Sequence, residues 1–170
     1  MKNIFRVACL STLVLAGCAS NKPSNTVSSV ESNAEIQKQV ELVQKKMSAC
    51  VADINKTDDE KYVDANIIVI SAHNPNAKKL MSSTHFINDE QIAALTRFKE
   101  ATLQCRPIAK EFPKPEMIAV YEYYYSKVDD VYQELINKKI TIGVANQERQ
   151  MRLRYTNEKW AQVMKNYKGS

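Results

Sequence analysis

Glycine is scarce in this chain of 170 residues, which contains only Gly17, Gly143 and Gly169. Loops that bind phosphate groups, and the sharp turn that presents a nucleophilic serine, need clustered glycines so that the backbone can approach a ligand. Neither motif can be written with these residues. So few glycines also disfavour an all-β sandwich with its many tight turns. The expected fold class is therefore all-α, a bundle of four or five helices.

Clusters of metal-binding and acid–base residues are also missing. His73 and His85 stand twelve positions apart, whereas a zinc site needs closely spaced ligand pairs or converging partners. The paired carboxylates Asp58-Asp59 and Asp129-Asp130 cannot face one substrate from one helix, because adjacent helical residues point about 100° apart. We therefore expect no catalytic residue, no metal and no cofactor, and hence no enzymatic activity.

The N-terminus has the composition of a secretory signal peptide. Lys2 and Arg6 make it positively charged, and residues 7–16 form an apolar run. That run is too short for a membrane-spanning helix, which needs roughly 20 apolar residues. We expect residues 1–17 to direct export and then to be removed.

The end of the apolar run, Leu15-Ala16-Gly17-Cys18, resembles the lipobox of bacterial lipoproteins. The resemblance implies that the Cys18 thiol receives a diacylglyceryl group and that cleavage leaves Cys18 as an acylated N-terminus, anchored in a membrane. Ala19 follows, not aspartate. By resemblance to enterobacterial lipoproteins, this implies sorting to the outer membrane, facing the periplasm. The resemblance covers only this N-terminal segment, and residues beyond it indicate no named domain family.

The mature chain divides into a tether and one domain. Residues 18–31 are rich in serine, asparagine and threonine and cannot bury enough apolar surface to offset their ordering entropy, so we expect a flexible tether. Residues 32–170 suffice for a single domain with its own core. Loss of Lys2 and Arg6 lowers the net charge from +5 to +3, too little to indicate nucleic acid as a partner.

Two cysteines, Cys50 and Cys105, remain for this domain. In an oxidising compartment a disulfide is the usual state, and closing a loop of this length would stabilise the fold by about 4 kcal/mol. Apolar residues at helical spacing place Cys50 on the buried face of the first helix. The same pattern places Cys105 beside Leu95 and Phe98. A disulfide between two helices is favoured over two buried free thiols.

Five helices are predicted from capping residues and apolar periodicity. Residues 67–70 are β-branched and fit either the end of the second helix or a short strand. Residues 73–86 begin as a loop and are then ambiguous. The last helix has the weakest apolar face, to which Val144, Met151 and Tyr155 contribute early. The expected first residues or caps are Ser32 or Asn33, Thr57, Asn88, Pro115 and Thr141.

Two features indicate binding. Tyr123 lies off the buried stripe of its helix, and tyrosine suits interfaces because a polar hydroxyl tips a large apolar ring. The segment from Gln147 onward has a net charge of +4, and a helix would bring Arg149, Arg152 and Lys159 to one side. These four residues form a candidate partner surface for an anionic envelope polymer or protein. Alternatively, the tyrosine lies at the rim of the core and the cations lie on a helix face that only solvent contacts.

The sequence therefore favours a non-catalytic helical binding module tethered to an envelope membrane. One alternative is an inhibitor or immunity-type lipoprotein that acts on a cell-wall-degrading enzyme, which would need a protruding loop. Residues 73–86 are the best candidate for that loop. Another alternative is a carrier of a hydrophobic ligand, which would need an apolar cavity inside the bundle.

Overall fold

The computed structural model describes residues 32–167, and within them the protein is all-α with no strand. The all-α prediction is confirmed, with six α-helices and one 3₁₀ helix in place of the four or five helices expected. One of the elements not expected, α3, is a short α-helix of five residues. The predicted Cys18 lipidation site, the signal peptide and the tether lie outside the described residues. The helices are α1 (Asn33–Ile54), α2 (Asp58–Asn66), α3 (Ala77–Met81), α4 (Asp89–Leu103), a 3₁₀ helix (Arg106–Glu111), α5 (Pro115–Ile136) and α6 (Ile142–Lys165).

The predicted helix starts are confirmed, and side chains cap most of them. Ser32 and Thr57 each accept a hydrogen bond from the backbone N–H three residues on. Asn88 and Gln91 form a reciprocal capping box, which satisfies two amide N–H groups that otherwise have no partner inside the helix. Thr141 caps α6 in the same way as Thr57 caps α2. These caps fix where each helix enters the bundle.

Two apolar clusters make up the core. The larger one joins α2, α4, the second half of α5 and the start of α6, and it includes Leu95 and Leu135, both fully buried. The smaller one joins the start of α1, the 3₁₀ helix, the start of α5 and the end of α6. Trp160 of α6 packs there, so both ends of α6 contribute to the core.

A disulfide joins Cys50 and Cys105, whose Cα atoms lie 5.8 Å apart, inside the usual range. This prediction is confirmed. Cys105 lies in the turn between α4 and the 3₁₀ helix, not on α4 itself. The bond therefore ties α1 to the point where the chain leaves α4.

Residues 67–70 are neither helix nor strand; a turn at Ile67 leads into an irregular segment after α2. The side chains of Ile67 and Ile68 are fully buried, and other side chains bond the segment's backbone. Asn146 of α6 bonds both the carbonyl oxygen of Ile67 and the amide of Val69, each at 2.7 Å. The Asp64 carboxylate accepts from the amides of the two residues after Val69. Buried backbone groups need such partners.

Residues 73–86 pack against the start of α6. The amide of Ile142 donates to the carbonyl oxygen of His85 at 2.9 Å, and the amide of Gly143 donates to that of Ser83 at 3.0 Å. A Cβ atom at Gly143 would lie 2.4 Å from that Ser83 oxygen, so the close approach requires glycine. The backbone from Ser83 to His85 is therefore held against the start of α6.

Candidate interaction groove and central cavity

Helices α5 and α6 run antiparallel and leave an open groove between them. Their direction follows from two contacts: the Tyr123 ring packs at a tilt against the Tyr155 ring, and the hydroxyl of Tyr167, just after α6, donates to Glu116 in the first turn of α5. That bond lowers the pKa of Glu116. The space has a volume of about 260 Å³, and we refer to it as the α5–α6 groove. Its lining residues are Glu116, Ala119, Val120, Tyr123, Tyr155, Thr156, Lys159, Gln162 and Val163.

Two tyrosines and a lysine dominate the surface of the groove. The ring centroids of Tyr123 and Tyr155 lie 5.3 Å apart, a distance typical of aromatic pairs. The Lys159 Nζ atom lies 5.4 Å from the centroid of the Tyr155 ring, within cation–π distance. Tyr123 is 40% exposed and Tyr155 is 43% exposed. The prediction that Tyr123 projects away from the core is confirmed.

An exposed apolar stripe on α6 leads into this groove. Val144, Met151 and Tyr155, at spacings of seven and four, share one side of the helix and are each more than two-fifths exposed. The prediction that these three form the early buried face of α6 is wrong. The helix instead turns Ile142 and Asn146 inward. A polar side chain is suited to this buried position because it bonds the backbone of Ile67 and Val69.

The prediction that Arg149, Arg152 and Lys159 present their charges together on one exposed side is wrong. Arg149 follows Asn146 on the inward side, where its Nη1 atom donates to the carbonyl oxygen of Val69 at 2.9 Å. Arg152 is half-buried and forms a 2.9 Å ion pair with Glu148. Lys159 alone among the three lines the groove.

The paired carboxylates are held by separate cations, although Asp129 and Asp130 both line one open surface pocket. The guanidinium of Arg97 bonds Asp59 and lowers the pKa of that carboxyl. Within residues 32–167 no group of three or more His, Cys, Asp or Glu side chains is placed to hold a metal ion. The ion pairs are Asp59–Arg97 at 2.6 Å, Asp129–Arg106 at 2.6 Å and Asp130–Lys127 at 2.8 Å.

A second space, the central cavity, lies among α1, α4, α5 and α6 beside the disulfide. Its volume is about 160 Å³. Burial raises the pKa of Tyr125 to about 12 and raises that of Tyr132 as well, so both phenols are neutral at physiological pH. The lining residues are Val51, Ile54, Asn55, Ile70, Phe98, Thr102, Cys105, Arg106, Tyr124, Tyr125, Val128, Tyr132 and Arg149.

Comparison with known proteins yields no relative. No protein-family model matches the sequence, and no curated protein or solved structure is significantly similar to it. In the described part of the chain, no helix has both the length and the apolar character needed to span a membrane.

Tyr155 is the groove residue that the sequence reasoning missed. Its spacing from Val144 and Met151 suggested burial, because all three are apolar or aromatic. The informative signal was the polar pair Asn146 and Arg149, which stand four and seven residues after Ile142. Those spacings place them on the same side of the helix as Ile142.

Proposed function

We propose that this chain is a non-catalytic binding protein of the bacterial envelope. It is anchored by lipid on Cys18 in the outer membrane, faces the periplasm and binds an anionic partner protein through the α5–α6 groove. The lipobox and the polar tether support the anchoring. The observation that carries the binding function is the exposed pair of Tyr123 and Tyr155 beside Lys159.

A protein partner is favoured by the composition of the groove. The exposed rings of Tyr123 and Tyr155, together with Met151, which lies one turn before Tyr155 and is 44% exposed, form an apolar surface of the kind that protein interfaces cover. Tyrosine is among the residues that contribute most to binding energy when such a surface is covered. An apolar or aromatic side chain of the partner would therefore occupy the groove.

An anionic partner is favoured by the charge at the groove's edge. Lys159 is exposed and forms no ion pair within residues 32–167; its Nζ atom bonds only Gln162, at 3.3 Å. Arg154 is also exposed on this helix. A carboxylate of a partner can approach Lys159, and Arg154 adds positive charge to the same helix; attraction of this kind weakens as salt rises.

Crosslinking in the envelope followed by purification of the lipidated protein tests the binding function. We expect one acidic protein to co-purify with the wild type and to be lost with the double variant Tyr123→Ala/Tyr155→Ala. Phe86→Ala is the matched control, because Phe86 is 55% exposed but does not line the groove. Equal recovery from the double variant and the wild type would exclude the groove as the binding site. Recovery of a polysaccharide in place of a protein would show that the partner is an envelope polymer.

The anchoring has its own test. Mass spectrometry of the exported protein is expected to find an acylated N-terminal Cys18, and Cys18→Ser is expected to abolish lipidation and outer-membrane fractionation. An uncleaved Met1 or a free Ala19 terminus would reject the anchor without bearing on the groove.

A further inference from the structure

Arg149 places a cation against the central cavity. Its Nη1 atom bonds the Val69 carbonyl oxygen, whereas its Nε atom is buried and has no hydrogen-bond partner within the described chain. No carboxylate of residues 32–167 forms an ion pair with it. Burying an unpaired charge is costly, so this guanidinium is suited to an anion that enters from outside.

Other charges near the cavity are already in use. Arg106, the second arginine in its wall, is held by Asp129 through two hydrogen bonds of 2.6 and 2.7 Å. Asp64 favours the charged form of Arg149 at longer range, but its carboxylate accepts from the amides of Ile70 and Ser71. Of the two arginines in the cavity wall, Arg149 is therefore the one that has no direct counter-ion within residues 32–167.

The remainder of the cavity is mainly apolar. Ile54, Phe98 and Val128 line it from three helices. A volume of about 160 Å³ is close to the engineered cavity of roughly 150 Å³ that holds benzene. The exposed side chain of Val51 also lines the cavity, which places an opening near the end of α1.

We propose that the central cavity is a binding site for a small monocarboxylate whose apolar body is no larger than about one benzene ring. The carboxylate pairs with Arg149, and the apolar body packs against Ile54, Phe98 and Val128. Tyr124 and Tyr132 also line the cavity, and their hydroxyls can donate to the anion. This site is separate from the α5–α6 groove and does not rest on the function proposed for the groove.

The test uses benzoate as the probe, with benzamide as its neutral isostere and benzylamine as its cationic counterpart. Binding to the full-length protein is followed by NMR of the Ile54 and Val128 methyl groups. We expect saturable shifts with benzoate and affinity at least about tenfold weaker for the two other probes, because a charge-assisted bond is lost. Equal binding of benzoate and benzamide, or no saturable shift with benzoate, would overturn the proposal.

Two variants identify the site. Arg149→Met is expected to abolish the preference for benzoate over benzamide, whereas Arg152→Met, which removes the same charge one turn away from the cavity lining, is expected to keep it. Because Arg149→Met also loses a bond to Val69 and can impair folding, Val51→Trp provides a second test. Val51 is 44% exposed, so the larger ring can block the opening in a folded protein, and benzoate binding is expected to disappear. Benzoate binding that persists in folded Val51→Trp protein would contradict this placement of the site.

Discussion

Asn146 in α6 donates a 2.7 Å hydrogen bond to the carbonyl oxygen of Ile67, 79 residues earlier in the chain. Through its Oδ1 atom the same carboxamide accepts from the amide of Val69, also at 2.7 Å. One side chain thus supplies the partners of two backbone groups that lie outside any helix. This contact fixes α6 to the middle of the chain.

Replacing Asn146 with leucine is expected to destabilise the fold by about 3 kcal/mol, because two buried backbone groups lose their partner. Urea unfolding monitored by circular dichroism measures the change. Asn157→Ala, an exposed substitution on the same helix, is the control and is expected to stay within about 0.5 kcal/mol of the wild type. Similar midpoints for the two variants would show that the Asn146 bonds contribute little.

Charge reversal is expected to separate Arg149 from Lys159. Arg149→Glu places a carboxylate where the guanidinium bonds the Val69 carbonyl oxygen, so we expect a loss of more than about 3 kcal/mol or failure to fold. Lys159→Glu changes an exposed group and is expected to leave the unfolding midpoint nearly unchanged. Thermal unfolding of both variants gives the comparison. Equal stabilities would show that the Arg149 guanidinium is exposed to solvent and does not bond the Val69 carbonyl oxygen.

Local sequence determines the helix caps but not the bonds of Asn146. The cap of α4 depends on Asn88 and Gln91, three residues apart, so the sequence alone predicts it. The bonds of Asn146 join positions 77 and 79 residues apart and depend on how α6 packs against residues 67–70. A polar residue on an inward helix face does not reveal its distant partner, so apolar periodicity alone predicts the wrong inward face for α6.

Removing the disulfide is expected to reduce the free energy of unfolding by about 4 kcal/mol, because the unfolded chain regains the freedom of the loop between Cys50 and Cys105. The double variant Cys50→Ala/Cys105→Ala, compared with the wild type under oxidising conditions, measures this. The same comparison in reductant is the control, since both proteins then lack the bond. Peptide mapping that finds both cysteines alkylated without prior reduction would contradict the bond itself.

Glu60 is expected to make stability depend on pH. Its side chain is buried in α2, and desolvation raises its pKa above the ordinary value of 4.5. The folded state then holds the proton more tightly than the unfolded state, so stability increases as the pH falls through the folded-state pKa towards 4.5. Glu60→Gln is expected to raise the urea midpoint at pH 7, with a difference that shrinks below pH 4.5. The exposed substitution Glu122→Gln is the control. A Glu60→Gln midpoint below that of the wild type at pH 7 would show that the ionised Glu60 carboxylate stabilises the fold, contrary to this prediction.

The groove was only partly predictable for a related reason. The exposure of Tyr123 follows from the spacing of apolar residues along α5, and the structure confirms it. The partnership between Tyr123 and Tyr155 depends on the alignment of two antiparallel helices, which is set by the turn between them and by contacts such as that of Glu116 with Tyr167. Periodicity within one helix contains no information about that alignment.

Site-specific photo-crosslinking in living cells tests the proposed binding function most directly. A photoreactive phenylalanine derivative replaces Tyr123, Tyr155 or, as the control on another surface, Phe86. We expect the two groove positions to crosslink to the same acidic envelope protein and the control position to give no such product. Crosslinks to that protein from Phe86 alone, or no protein crosslink from either groove position, would contradict the proposal that the α5–α6 groove binds a protein partner.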